Sequence, residues 1–172
     1  SEGSMGIACA DFDNDGRLDI YVTNFQGETN TLYLNQGGLL FLDVTKRTYG
    51  LSPPSIPMVG FGTQAIDADL DGRFDLFVTN GHVDSNSFLD TPEKMRPQMF
   101  QNRGRLQLDD VSLTSGIFFR GKYLGRGAAQ MDWDRDGRTD LVVVHQDAPV
   151  AMLHNETSTV GHAIEFRFVG KE

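Results

Sequence analysis

The sequence predicts an all-β protein of three stacked, four-stranded antiparallel blades that form part of a β-propeller. Three observations carry this. A nine-residue acidic motif recurs three times at a spacing close to the length of one blade. Strand-like apolar runs follow each copy in the same order, and no segment keeps a 3.6-residue period for three turns. Glycine is also frequent, at 19 of 172 residues, which suits many short strands joined by turns.

The motif fixes the repeat. Residues 11–19 are Asp-Phe-Asp-Asn-Asp-Gly-Arg-Leu-Asp, residues 67–75 are Asp-Ala-Asp-Leu-Asp-Gly-Arg-Phe-Asp, and residues 132–140 are Asp-Trp-Asp-Arg-Asp-Gly-Arg-Thr-Asp. The copies stand 56 and 65 residues apart. Five residues before each first Asp is a glycine: Gly6, Gly62 and Gly127. After each loop runs Ile20-Tyr21-Val22-Thr23, Leu76-Phe77-Val78-Thr79 or Leu141-Val142-Val143-Val144. These runs are apolar at nearly every position, as expected of a strand covered on both faces. A third strand then ends in asparagine at Asn35, Asn102 and Asn155. A fourth follows in the first two copies, at Phe41–Thr45 and Leu108–Ser112. The expected units are therefore 1–56, 57–121 and 122–158. Residues 159–172 supply either the last strand of the third unit or the start of another domain.

One unit is longer than the others. From the last loop Asp to the closing Asn is 16 residues in the first copy, 27 in the second and 15 in the third. The excess lies in 81–97, where Pro92 and Pro97 mark irregular backbone. A tolerated surface excursion is favoured there over a recognition loop.

The acidic loops call for a cation. Without one, the carboxylates at positions 1, 3, 5 and 9 crowd together, and each like-charge pair at about 5 Å costs roughly 3 kcal/mol at an effective dielectric near 20. Oxygen-only donors select a hard ion, and a flexible cage of six or seven oxygens suits Ca²⁺ better than Mg²⁺. The glycine at position 6 (Gly16, Gly72, Gly137) permits the positive-φ turn. Position 7 (Arg17, Arg73, Arg138) is expected to offer its backbone carbonyl and to point its side chain to solvent. An EF-hand begins with the same residues but needs an acid at position 12 and flanking helices. Position 12 here is Val22, Val78 and Val143, each in a β-type run.

Charge narrows the function. The net charge of −9, with half of the 24 acidic residues in the three loops, argues against nucleic acid and against an anionic membrane surface. No run is long enough to span a membrane as a helix. Cys9 stands alone, which excludes an intramolecular disulfide, and is expected as a small buried strand residue. Outside the loops, Asp84, Asp90, Glu93, Asp109 and Asp110 show no catalytic spacing, and His82, His145, His154 and His162 are scattered. His82 is expected to structure its loop. Gly121-Lys122 lacks a full phosphate-loop pattern. No catalytic residue is assigned, and the chain is expected not to be an enzyme. Asn155-Glu156-Thr157 is a glycosylation sequon, but Asn35 and Asn102 fill the same repeat position without it, so a structural role is expected for the asparagine.

On these residues the chain resembles the FG-GAP/VCBS repeats of integrin-α-like β-propellers, through Gly60-Phe61-Gly62 and the Asp-x-Asp-x-Asp-Gly-x-x-Asp loops. The fuller pattern, with Gly81-His82-Val83, is similar to the ASPIC/UnbV and cartilage-acidic-protein group. The tail from Gly161 to Gly170 is similar to the opening of the ASPIC/UnbV C-terminal domain. The resemblance implies a secreted or cell-surface location (periplasmic in a bacterium), about three Ca²⁺ ions, and adhesion or contact with a protein or glycan. By position it carries the ligands Asp11, Asp13, Asp15, Arg17 and Asp19; Asp67, Asp69, Asp71, Arg73 and Asp75; and Asp132, Asp134, Asp136, Arg138 and Asp140, the arginines through their carbonyls. Three blades leave open sheet faces, so the remaining blades or a second copy are expected as partners. The alternatives are part of a secreted propeller enzyme acting on polysaccharide, or a purely structural spacer.

Overall fold

The computed structural model describes residues 3–83, 92–158, 161–164 and 169–170. Three antiparallel sheets follow one another along the chain. The first is ordered β1 (Gly6–Ala10), β2 (Asp19–Thr23), β3 (Thr31–Asn35) and β4 (Phe41–Asp43). The second is β5 (Gly60–Ile66), β6 (Asp75–Asn80), β7 (Gln98–Gly104) and β8 (Gln107–Asp110). The third contains β9 (Gly125–Met131), β10 (Asp140–His145) and β11 (Ala151–Leu153). The expected fold class holds, with three strands in the third sheet among the described residues. A fourth strand there would draw on 159–172, of which 159–160, 165–168 and 171–172 lie outside the described residues. Among the described residues one short helix, α1 (Ser52–Ser55), and three 3₁₀ turns interrupt the β structure.

Each acidic motif is the hairpin connection between the first and second strands of its sheet. The pairs Ala10↔Asp19, Ile66↔Asp75 and Met131↔Asp140 close the three loops. The position-9 aspartate is thus the first residue of β2, β6 or β10, which fixes it against the sheet.

The sheets stack face to face. Ala8, Tyr21 and Leu32 of the first meet Leu76, Val78 and Phe100 of the second in one apolar cluster. Phe77 and Met99, on the second sheet's other face, meet Leu141 and Val143 of the third. Alternation along a strand therefore sends successive side chains to different neighbours. All six residues of β6 are buried, as expected of a strand covered on both faces. In β2 and β10 buried residues are interspersed with less buried ones, because each outer sheet has a covered face and an open one. Cys9 is exposed, contrary to expectation. It sits in β1 between buried Ala8 and Ala10 and points the other way.

The recurring glycines mark where first strands approach one another. A Cβ on Gly6 would lie 2.0 Å from Phe61 O, and one on Gly62 would lie 2.7 Å from Gly127 Cα. Thr23 Oγ1 donates across the same seam to Phe61 O at 2.8 Å.

The ends of the second sheet's long insertion are tied to neighbouring sheets. Met95 and Tyr123 exchange backbone hydrogen bonds, and Arg126 Nη2 donates to His82 O at 2.8 Å. His82 is buried with its ring edge-on to Phe25, a loop-structuring position as expected. Residues 84–91, and with them Asp84 and Asp90, lie outside the described residues.

Candidate metal centres

The three loops share one construction. The position-1 carboxylate accepts two backbone N–H groups from across its own turn. Asp15 N and Gly16 N donate to Asp11 at 3.0 and 2.8 Å; Asp71 N and Gly72 N donate to Asp67 at 2.9 and 2.9 Å; Asp136 N and Gly137 N donate to Asp132 at 3.2 and 3.1 Å. Two left-handed residues make that turn. Position 6 is glycine, with φ of 87°, 82° and 84° at Gly16, Gly72 and Gly137. Position 4 also takes positive φ, at Asn14, Leu70 and Arg135. For leucine and arginine this conformation is strained, so the loop geometry outweighs local preference there.

This turn brings the carboxylates of positions 1, 3 and 5 together. One ligand atom each from Asp11, Asp13 and Asp15 lie within 4.8 Å of one another, as do those of Asp67, Asp69 and Asp71, and those of Asp132, Asp134 and Asp136. The position-9 aspartates are buried and accept backbone N–H groups on both oxygens. Asp19 takes Phe12 N and Asn35 N at 2.8 and 2.9 Å, Asp75 takes Ala68 N and Asn102 N at 3.2 and 2.8 Å, and Asp140 takes Trp133 N and Asn155 N at 2.9 and 2.8 Å. Each oxygen keeps further lone-pair capacity. Asp140 joins a second group in the third loop, with Asp134 and His154.

Burial, with crowding behind it, perturbs three of the loop carboxyls. Burial, and then Asp19, Asp15 and Asp11, push the Asp13 carboxyl above its ordinary range. Burial raises Asp19 against the opposing N–H groups of Asn35 and Phe12. Burial pushes Asp75 up to about 7, opposed by the N–H groups of Asn102 and Ala68 and reinforced by Asp69 and Asp71. A cation fits this donor set. Asp69 Oδ1 is buried with no hydrogen-bond partner, a costly state for a carboxylate oxygen unless something positive meets it.

The position-7 arginines do more than sequence reasoning assigned them. They remain part-exposed but do not run free into solvent. Arg17, Arg73 and Arg138 each fold back to pair with the position-5 carboxylates Asp15, Asp71 and Asp136. Their Nε atoms donate to the carbonyls of Asn35, Asn102 and Asn155 at 2.6, 2.9 and 2.6 Å. The guanidinium thus ties the loop to the end of the third strand, and the signal was its recurrence in all three copies.

The closing asparagines link sheets. Asn102 Nδ2 donates to Phe12 O, the position-2 carbonyl of the preceding loop, at 2.9 Å. Asn155 Nδ2 does the same to Ala68 O at 2.9 Å. Asn35, with no preceding sheet in the chain, donates instead to Leu18 O of its own loop at 3.1 Å. The structural role expected for Asn155 is thus a specific one, and its amide nitrogen is engaged.

Between the second and third sheets a cleft of about 590 Å³ reaches the loops, lined by Asp69, Gln101, Leu141 and His154 among others. No helix among the described residues is long and apolar enough to cross a membrane.

Comparison with known proteins agrees with the repeat fold. The FG-GAP-like repeat family matches residues 11–78, which span the first two loops. Cartilage acidic protein 1 of Mus musculus and of Homo sapiens are each 25% identical to the chain over 146 residues. These matches cover 83% of the chain and 21% and 20% of the two relatives. The Xenopus tropicalis protein of the same name is 26% identical over 148 residues, covering 83% of the chain and 21% of its own length. The chain therefore spans about a fifth of the length of the curated relatives it matches. The resemblance to FG-GAP repeats and to the cartilage-acidic-protein group is borne out.

Proposed function

We propose that this chain, built of FG-GAP-like repeats and similar to cartilage acidic protein 1, is a calcium-stabilised extracellular repeat module that contacts a protein or glycan ligand. The observation that supports it best is the triple convergence of position-1, -3 and -5 carboxylates, with Asp69 Oδ1 buried and unpartnered in the second loop. An acidic cage of this kind is self-repelling when empty and stable when filled. Calcium is structural in this reading. It locks the turn between the first two strands, and the turn's position-2 carbonyl holds the next sheet through its asparagine. The ions of the first two loops thus support a seam between blades as well as their own loop. An extracellular setting supplies calcium at the concentration that weak all-oxygen modules need.

Equilibrium dialysis against calcium tests this. The chain is expected to bind about three ions, and the triple variant Asp67→Asn, Asp69→Asn, Asp71→Asn about two. A wild-type chain that binds none would overturn the reading.

A further inference from the structure

The three blades differ at the outer edge of their third strand. β4 covers that edge of β3 and β8 covers that of β7, whereas among the described residues no strand pairs with the outer edge of β11. The covering strands set an apolar side chain six residues past the closing asparagine. Phe41 stands opposite Asn35, and Leu108 opposite Asn102. The sixth residue past Asn155 is Gly161, which lies instead against the second loop, where its Cβ would stand 1.6 Å from Leu70 O. Gly161 therefore brings neither a strand partner nor a side chain to β11.

The second blade shows how a covering strand is held. Leu108 is 3% exposed, seated in the seam between the first and second sheets. One edge of β8 pairs with β7, and the other meets the stretch that follows β4 in the first blade. There Tyr49 N donates to Leu106 O at 2.8 Å and Leu108 N donates to Tyr49 O at 2.9 Å. Gly50, at φ 82°, permits the approach, since a Cβ on it would lie 2.0 Å from Leu108 O. The second blade repeats the device for its successor. Gly116 follows β8 at φ 104°, and a Cβ on it would meet nothing within 4 Å. Gly116, Val111 and Phe119 line one side of the cleft of about 590 Å³ between the second and third sheets, and Leu153 and Asn155 line the other. Ala68 widens that cleft, because it stands where Phe12 fills the first seam. The backbone of β11 matches as well. Val44 N and Val111 N donate to Leu32 O and Met99 O, each at 2.9 Å, and Met152 holds the same place in β11.

The cleft thus repeats both walls that hold β8: a strand edge on one side and a glycine turn open to close approach on the other. We propose that it binds one extended strand of a partner protein. That strand adds to the third sheet along β11 and seats a large apolar side chain opposite Asn155, between Gly116 and Leu153. Main-chain hydrogen bonds to an edge supply affinity in such a pairing, and the side-chain cleft supplies selection. The inference deepens the functional reading above, naming a protein strand as its ligand where a glycan was the alternative.

The test uses this chain's own covering strand as probe, a fluorescent peptide copying residues 39–47, Leu-Leu-Phe-Leu-Asp-Val-Thr-Lys-Arg. Its anisotropy is followed on titration with the calcium-saturated 172-residue chain, beside a peptide carrying Phe41→Asp. The change is made in the peptide, so the fold of the chain is not disturbed. The Phe41 peptide is expected to bind one per chain, at least tenfold more tightly than the Phe41→Asp peptide. Its binding is expected to shift the backbone amide resonances of Gly116 and Met152. No binding, whether because the cleft has no affinity for the strand or because residues 159–172 fill it, overturns the inference. So does a difference below tenfold, or unmoved Gly116 and Met152 resonances. Calcium is read separately by dialysis. Intact calcium binding without peptide binding sinks the strand site alone, whereas peptide binding by a chain that holds no calcium supports the strand site and sinks the cation reading.

Discussion

Replacing Asn102 with alanine cuts the link between the first two blades at one side chain. Its Nδ2 donates to Phe12 O at 2.9 Å and to Phe74 O at 3.1 Å, and its Oδ1 accepts from Gly104 N at 2.8 Å. The residue is 2% exposed, so water cannot freely replace these partners. At about 1 kcal/mol net for each bond, Asn102→Ala should cost roughly 3 kcal/mol. Asn35→Ala is the internal control. It removes a bond to Leu18 O at 3.1 Å and one from Gly37 N at 2.9 Å, both within the first blade and nearer to solvent. Its cost should be roughly 1 kcal/mol. Asn155→Ala, which removes one cross-blade bond to Ala68 O, should fall between them. The assay is urea unfolding of the three variants in calcium, with unchanged m-values confirming that the midpoint shifts report stability. Equal losses for Asn35→Ala and Asn102→Ala, within about 0.5 kcal/mol, would refute the cross-blade role.

Two further expectations concern the seams and the empty loops. Gly62→Ala should destabilise by several kcal/mol, because its Cβ would lie 2.7 Å from backbone atoms of Gly127 and Ala128, while Gly127→Ala, whose nearest new contact is 3.9 Å away, should stay within about 1 kcal/mol; comparable midpoints for the two would contradict the close approach of the first strands. In EDTA the Asp75 carboxyl, pushed up to about 7, keeps a proton that the unfolded chain has released above about pH 4. Its contribution is thus full below about pH 4 and is lost as pH rises to 7, by up to roughly 4 kcal/mol. Against Asp75→Asn as reference, the wild-type chain in EDTA should weaken between pH 4.5 and 7.5, and saturating calcium, which needs the ionised carboxylate, should remove that fall. A wild-type chain in EDTA that strengthens relative to Asp75→Asn over this range would show that the carboxylate is stabilised without metal.

Much of the loop was legible in the sequence, because its geometry is local. Gly16, Gly72 and Gly137 sit where positive φ is required, and the alternating aspartates converge once that turn is made. The strands were legible for a similar reason, since Tyr21, Phe77 and Val142 hold equivalent places after their loops. What depended on stacking was not. The partner of Asn102 is a carbonyl 90 residues away, and no spacing within one repeat points to it. Cys9 sits among small apolar residues and looked buried, but β1 has one covered face and Cys9 is on the other. The continuous apolar run after each loop implied cover on both sides, and only β6, with a sheet on each side, is buried throughout. Trp133, at position 2 of the third loop, is 63% exposed where the equivalent Phe12 is packed into a seam. Among the described residues no further sheet packs on the third, and that separates the two.

The central claim is that the acidic loops are calcium sites that hold the blades together. Thermal unfolding in excess EDTA against about 2 mM CaCl₂, with MgCl₂ as control, tests it most directly. A site with a dissociation constant near 10⁻⁴ M gains about 1.8 kcal/mol at that concentration, so three sites give roughly 5 kcal/mol. For a chain of this size that amounts to a rise of about 10 °C or more in Tm. A calcium-specific rise of that order is the predicted result. An unchanged Tm, or an equal rise with magnesium, would contradict the account and return the twelve loop aspartates to the status of surface acids.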